Sequence, residues 1–276
     1  MTPKSSAWLD KPVLKSIPNF TIEHLLISLI LLLTVASRLT GLGWRVMSHD
    51  EVNHVVPAYG LYQGQGYIHD PVTHGPLQFP LMALSFFLFG DGDFTARLPH
   101  ALFSIATVVL AIFGMRRFLG HGGSLIAGVL FLISPFFLYY GRYARNEAII
   151  GFLGVLLLYA MLAYLESGKF RYLVLLTVAM VLHFTSKETS YIYTAQALLF
   201  ALFYLIVRLT QVNWKNPLHQ LLFIVSLLVM VVFGVVAGIV FTANQPSTII
   251  QVNESITSSA NIASNFLAMP LVTRIV

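Results

Sequence analysis

An acidic pair, Asp50 and Glu51, lies in the stretch SHDEVNH, just after the first long apolar run. If the residues after Ser48 form a helix with Ser48 as N-cap, His54 shares a face with both acids. A carboxylate placed there can act as a general base, and Glu51 with His54 can hold a divalent cation. The alternative is that both acids are solvated at a helix start, where the dipole stabilises negative charge, and that His54 is a surface-loop residue.

A second polar cluster is YYGRYARNE, residues 139–147. Arg142 and Arg145 are three positions apart and can hold an anionic group through paired hydrogen bonds. The cluster falls on the side opposite the other basic loops, against the usual bias of Lys and Arg toward the cytoplasm. That position favours a functional role over an accidental one. The tyrosines at 139 and 140 are typical of a membrane-interface belt.

A third cluster consists of Lys187 and Glu188, near His183. These two residues can simply pair with each other, but we expect all three clusters to converge at one membrane-surface pocket. Carboxylates would then supply a base or a metal ligand, and cations would stabilise a phosphate leaving group. Such a pocket suits group transfer from a membrane-embedded phosphate carrier.

The elements that must position these residues are membrane helices. Of the 276 residues, 57% are apolar and 10% are charged, where a soluble domain carries about 25% charged residues. The mean hydropathy is +0.79. Several apolar runs reach the roughly 20 residues that one helical crossing needs. The sequence therefore predicts an all-α polytopic membrane protein, and its net charge of +5 is read as cytoplasmic loop charge rather than as nucleic-acid binding.

Seven spans are predicted, with the N-terminus in the cytoplasm of an inner (plasma) membrane and the C-terminus outside. The short apolar segment 76–90 is predicted to lie at the surface, because only then do the basic loops share one side. Three regions follow: a tail (1–21), the seven-span module (22–242) with its first outer loop (43–93), and an outer region (243–276). The predicted spans are 22–41, 94–118, 122–140, 148–165, 172–186, 189–207 and 218–242.

Several motifs occur in a fixed order: S-H-D-E, then HGPLQFPLMALSFFLFG, then R-L-P before a span ending RRFLG, and then S-P-F followed by Y-x-R-x-A-R-N-E. In this order and spacing the chain resembles the lipid-phosphate-dependent membrane glycosyltransferases of the GT-C superfamily. That group includes the protein O-mannosyltransferases and the aminoarabinose transferase. Its members usually continue with further spans and often an outer soluble domain, so we expect this chain to hold the seven-span module.

The resemblance implies an inverting transfer from a polyprenyl-phosphate sugar to an acceptor outside the cytoplasm. It makes Asp50 the base, Glu51 its neighbour and possible metal ligand, and Glu147 the second acid. Candidates for binding the carrier phosphate or the rest of the substrate are Arg142, Arg145, Lys187, His74 and Tyr143. The partners it implies are the lipid-linked donor, the bilayer and other membrane subunits.

Two other functions fit the composition. One is a non-catalytic accessory subunit built on the same module. The other is a transporter, which usually carries ionisable residues within its spans and an inverted repeat. The spans of this chain are nearly free of charge and no inverted repeat is evident, so a transporter is the weaker alternative.

Overall fold

The described part of the chain consists mainly of helices joined by loops, with one small hairpin. The computed structural model describes residues 8–14, 17–68, 74–212, 214 and 216–243. Strands β1 (Pro12–Leu14) and β2 (Ile17–Thr21) are antiparallel. The helices are α1 (Ile22–Leu39), α2 (His49–Tyr62), α3 (Gln78–Phe89), α4 (Asp93–Val109) with a π-helical turn (Leu110–Gly114), α5 (Arg116–Ile133), α6 (Pro135–Tyr140), α7 (Glu147–Ser167), α8 (Phe170–Phe184), α9 (Ser190–Thr210) and α10 (Pro217–Ala243).

The chain divides into two compact units, Met1–Leu205 and Ile206–Val276. The first contains the hairpin, helices α1 to α8 and most of α9, and it holds every predicted site residue. The second contains the end of α9 and α10, a helix of 27 residues. The predicted outer region beyond residue 243 lies outside the described residues.

Among the described residues, five helices are long and apolar enough to cross a membrane: Ile22–Leu39, Asp93–Gly114, Glu147–Ser167, Ser190–Leu209 and Pro217–Phe241. The apolar helices α3 and α8 have 12 and 15 residues. At 1.5 Å per residue they extend about 18 and 22 Å, less than the hydrocarbon core of about 30 Å. The predicted separation of α8 from α9 is confirmed, whereas the count of seven spans stays a prediction.

The single span predicted at 122–140 is two helices, and Pro135 is the reason. The residue before a proline is driven out of the α region, and Ser134 is extended with ψ 122° while Pro135 begins α6. The break exposes the last carbonyls of α5. Arg38 of α1, which is fully buried, donates to Phe131 and Leu132 carbonyl oxygens at 2.9 and 3.0 Å.

A buried apolar cluster fixes the helices that carry the first polar cluster. It joins α2 to α3, to α4 and to the loop between α6 and α7, and the chain around it is closely packed. Full burial of each Phe or Met side chain in the cluster contributes about 1.5–3 kcal/mol relative to exposure. Its members are Ala58, Phe79, Met82, Phe86, Ala96 and Ala144.

Candidate functional site

Glu51 is buried in the first turn of α2 and joins three parts of the chain. The predicted N-cap at Ser48 is confirmed, and the Ser48 backbone N–H donates to Glu51 Oε2 at 3.1 Å, which completes a capping box. Arg97 of α4 donates to both carboxylate oxygens, at 2.7 and 3.0 Å. The backbone N–H of Ala144 donates to Oε1 at 3.1 Å. Glu51 therefore connects α2, α4 and the loop 141–146.

The hydrogen bonds around Glu51 leave it no free acceptor site. Arg45 adds an ion pair with Oε2 at 3.0 Å, so the carboxylate accepts five hydrogen bonds, and a carboxylate has about four lone-pair sites. Burial by itself raises the pKa of Glu51, but the donors, Arg97 first, outweigh burial and hold the pKa below its usual value. Glu51 stays ionised and fully occupied by the protein's own donors.

Four charged side chains form a row from α2 to the loop between α8 and α9. Arg145 Nη1 donates to Asp50 Oδ2 at 2.9 Å, and Arg145 Nη2 lies 3.5 Å from Glu147 Oε1. Lys187 Nζ donates to the same Glu147 oxygen at 2.8 Å. The Asp50 side chain is 57% exposed and that of Glu147 is 13% exposed. The row links residues of all three predicted clusters, and Asp50 is its most exposed member. That the clusters form one membrane-surface pocket stays a prediction.

The HGPL segment is attached to the loop between α8 and α9 by backbone pairing. Gly75 N–H donates to Ser186 O at 3.1 Å, and Leu77 N–H donates to Thr185 O at 3.0 Å. A Cβ at position 75 would lie 2.2 Å from Thr185 O, so only glycine fits there. This attachment brings the start of α3 beside Lys187.

Two histidines lie next to that segment. His74 Nδ1–H donates to Glu188 Oε2 at 2.9 Å, and its ring is stacked on that of His54 with centroids 6.3 Å apart. His54 is buried, and its Nδ1 lies 2.8 Å from the amide nitrogen of Gln78. Burial first, and then the positive charge of Arg145, lower the pKa of His54 to about 4. The His54 ring is therefore neutral near pH 7.

Tyr143 is buried against the start of α2. Its hydroxyl forms a short hydrogen bond with Ser48 Oγ, and the Arg45 guanidinium lies over its ring at 5.1 Å. Burial raises the pKa of Tyr143. These contacts orient α2, and the substrate-binding role expected for Tyr143 stays a prediction.

Arg142 and Arg145 belong to the same loop but point to different places. Arg142 Nη1 donates to the carbonyl oxygen of Ser37, at the end of α1, at 2.9 Å. Its side chain lines a small cavity of about 140 Å³, together with Arg45 and Arg97. The structure therefore brings Arg145, but not Arg142, to Lys187.

A larger cavity of about 630 Å³ has Glu147 and Lys187 in its lining, and its other walls are residues of α5, α6, α7 and α9 together with Thr189 just before α9. Most of these residues are apolar. A Cβ at Gly154 would lie 2.7 Å from the Tyr193 ring, so this glycine allows α7 and α9 to approach closely. The cavity thus has a charged end, formed by Glu147 and Lys187, joined to an apolar body.

The predicted metal pair of Glu51 and His54 has no further ligand nearby. Within the described ranges there is no group of three or more His, Asp or Glu residues that could hold a metal ion. The oxygens of Glu51 are occupied, and His54 is bonded to Gln78. The metal site stays a prediction that these contacts do not support.

Sequence reasoning missed the arginines that organise the site. Arg97, 1% exposed, opens an apolar run, and in the sequence it stands out only as part of the R-L-P motif. A guanidinium at the start of a membrane span must find a carboxylate or carbonyls, because an unpaired charge there is costly. Arg97 finds Glu51 together with the carbonyls of Leu42 and Arg45, at 2.9 and 2.8 Å.

The chain is an integral membrane protein and is placed in the GT-C superfamily by the comparisons that follow. Residues 73–236, more than half of the chain, match the family described as dolichyl-phosphate-mannose-protein mannosyltransferase. The chain belongs to this family. None of the curated proteins compared with it matches.

A solved structure with a similar fold is the apo crystal structure of ArnT from Cupriavidus metallidurans. The TM-score is 0.57, the sequence identity is 17%, and the match covers 80% of this chain. At that identity the likeness concerns the fold alone. The match covers 42% of the ArnT chain, so this chain spans less than half of that protein's length.

Proposed function

We propose that the protein transfers a sugar from a polyprenyl-phosphate carrier to an acceptor outside the cytoplasm, with inversion at the anomeric carbon. The observation that carries the proposal is the row of charges from exposed Asp50 to Lys187. Two members of the row, Glu147 and Lys187, also line the large apolar cavity. At the exposed end of the row, Asp50 can act as a base toward an acceptor that approaches from water. The other end offers cations to a lipid phosphate.

The donor binds with its isoprenoid chain in the cavity of about 630 Å³ and its phosphate at Lys187 and Arg145. Both cations contact Glu147, at 2.8 and 3.5 Å. The Glu147 carboxylate keeps the two cations close together, because it offsets their mutual repulsion. His74, which lies beside the same loop through its bond to Glu188, is a further contact for the donor head group.

The reaction is a single displacement. Asp50 takes the proton of the acceptor hydroxyl as the acceptor oxygen bonds to the anomeric carbon. The bond from that carbon to the phosphate oxygen breaks, and its electron pair leaves on the carrier phosphate. Lys187 and Arg145 stabilise the charge that develops there. Arg145 also orients Asp50 through the 2.9 Å bond.

Glu51, Arg97 and Tyr143 act in this proposal as positioning residues. They fix α2 against α4 and the loop 141–146, and so fix Asp50 relative to Arg145. A divalent cation at Glu51 and His54 remains a separate prediction, which a chelator titration of the activity checks.

The proposed topology places this site outside the cytoplasm. Glu23, in the first turn of α1, pairs with Arg116 at 2.7 Å, while Ser37 at the other end of α1 bonds Arg142. The basic residues near α5 and α8 thus lie at the opposite end of α1 from the candidate site. The positive-inside rule favours the cytoplasm for that basic end, which supports seven spans within 22–242, a cytoplasmic 1–21 and an outer 243–276.

The test is release of labelled sugar from polyprenyl-phosphate donors by the purified full chain. We expect Asp50→Asn to lower turnover by about 100-fold or more, the usual contribution of a general base. Asp91→Asn, which makes the same charge change in the same outer loop, is the matched control and retains wild-type turnover. Equal activity in Asp50→Asn and wild type would remove the base role. Silence of every form across several donors would favour an accessory subunit.

A further inference from the structure

The small cavity beside Arg142 is lined by three guanidinium groups. Arg45, Arg97 and Arg142 all contribute to its wall, together with the ring of Tyr139. Its volume is about 140 Å³, well below the roughly 300–1,000 Å³ of pockets that enclose a whole small-molecule ligand. A cavity of this size fits one compact group.

The positive charge around this cavity exceeds the negative charge. Glu51 is the carboxylate that pairs with Arg45 and Arg97. Arg142 and the neighbouring Arg38 form no ion pair with a described carboxylate and bond only carbonyl and hydroxyl oxygens. Four guanidiniums therefore share one carboxylate. Buried or half-buried charge needs compensation to be stable, and an anion in the cavity would provide it.

The arginines also have donors to spare. Arg142 uses Nη1 for Ser37, and Arg45, whose side chain is 50% exposed, uses Nη2 for Glu51. Each guanidinium carries five N–H donors, and its planar fork matches the oxygens of a phosphate. Carbonyl oxygens already engage much of Arg97, so Arg45 and Arg142 are the residues left to contact a ligand.

We propose that this cavity binds a phosphate group, of a lipid head group or free in solution, at a site separate from the donor site. The two cavities share no lining residue. The charged residues of the larger cavity are Lys187 and Glu147, whereas those of the smaller one are Arg45, Arg97 and Arg142. The loop 141–146 separates their arginines: Arg145 faces Asp50 and Arg142 faces the end of α1. A phosphate bound here stabilises the arginines that hold Glu51 and therefore the start of α2. This inference goes beyond the proposed transfer reaction and uses none of its steps.

Calorimetric titration of the purified full chain in non-ionic detergent tests the proposal, with two probes titrated separately. One probe is inorganic phosphate, and the other is dihexanoyl phosphatidic acid below its micellar concentration. We expect saturable binding of at least one probe, weakened tenfold or more in Arg142→Gln and in Arg45→Gln. Arg171→Gln, which removes a guanidinium at the opposite end of α1, binds like wild type.

The outcomes separate this site from the donor site. Binding of both probes that weakens in Arg142→Gln supports a general phosphate site, and binding of phosphatidic acid alone with the same weakening supports a lipid head group. Unchanged affinity in Arg142→Gln and Arg45→Gln, or no saturable binding of either probe, overturns the proposal. Binding that Lys187→Gln abolishes and Arg142→Gln leaves intact also overturns it, because the phosphate then occupies the donor site. None of these readouts requires turnover, so a failed transfer reaction leaves the result interpretable.

Discussion

Asp50 and Glu51 are neighbours in the chain, but they lie in two different environments. Asp50 is 57% exposed and has one arginine partner. Glu51 is fully buried and accepts hydrogen bonds from three helices or loops. Successive residues on a helix point about 100° apart, so one acid faces solvent and the other faces the packed interior. The number of donors around each carboxylate, rather than its presence in a motif, decides which one is free to accept a proton.

The largest effect that distinguishes the two acids is on stability. Glu51→Gln leaves the buried Arg97 without its counter-charge, and breaking a buried pair in this way costs about 3–5 kcal/mol. Asp50→Asn removes an exposed pair, worth about 0–1 kcal/mol. The apparent melting temperature of the purified protein in detergent should therefore fall sharply for Glu51→Gln and little for Asp50→Asn.

A double substitution sharpens that comparison. In Glu51→Met with Arg97→Met, no charge is left buried, so part of the lost stability should return. Equal destabilisation by Asp50→Asn and Glu51→Gln would contradict the assignment of the structural role to Glu51 alone.

A second, smaller effect distinguishes the two ends of the charged row. Lys187→Gln removes a cation from the phosphate end but leaves the Asp50–Arg145 pair intact. We expect kcat/KM for a polyprenyl-phosphate donor to fall about 100-fold, the typical cost of losing one group that stabilises transition-state charge. Lys187→Arg should recover part of the activity because it keeps the charge. Lys169→Gln is the control at the far end of the bundle, and an unchanged kcat/KM in Lys187→Gln would exclude Lys187 from donor turnover.

Local sequence signals predicted the parts of the site that depend on neighbouring residues. Ser48 and Glu51 have the spacing of a capping box, and that box forms. Lys187 and Glu188 interrupt a long apolar run, and α8 and α9 are separate helices there. In both places the local chain chemistry specifies the structure without help from distant contacts.

Distant partners could not be read from the sequence. Glu51 and Arg97 are 46 positions apart, and nothing near either residue indicates the pairing. The opposite directions of Arg142 and Arg145 depend on where α1 and α2 lie in space. The break at Pro135 is different, because a proline within a predicted span is itself a signal of a helix boundary.

The smallest expected effect concerns His54, which is buried in α2 as Glu51 is. Its pKa is lowered from 6.5 to about 4 in the folded protein, first by burial and then by the charges of Arg145 and His74. Between those two values the unfolded chain binds more protons at this residue than the folded chain, so stability falls as the pH decreases from 6.5 toward 4. Because the pKa of Glu51 is below its usual value, the stability that its ion pairs contribute is lost only at a pH below most of the range in which His54 acts.

We therefore expect the apparent melting temperature of wild type to drop by several degrees between pH 7 and pH 5, and the drop to be smaller in His54→Gln, whose side chain stays neutral. His49→Gln, an exposed histidine in the same helix, is the matched control and should keep the wild-type slope. If His54→Gln and wild type lost stability in parallel, the acid sensitivity would belong to another group. The buried and exposed sides of α2 would then differ less in their effect on stability in acid than the contacts of Glu51 and His54 imply.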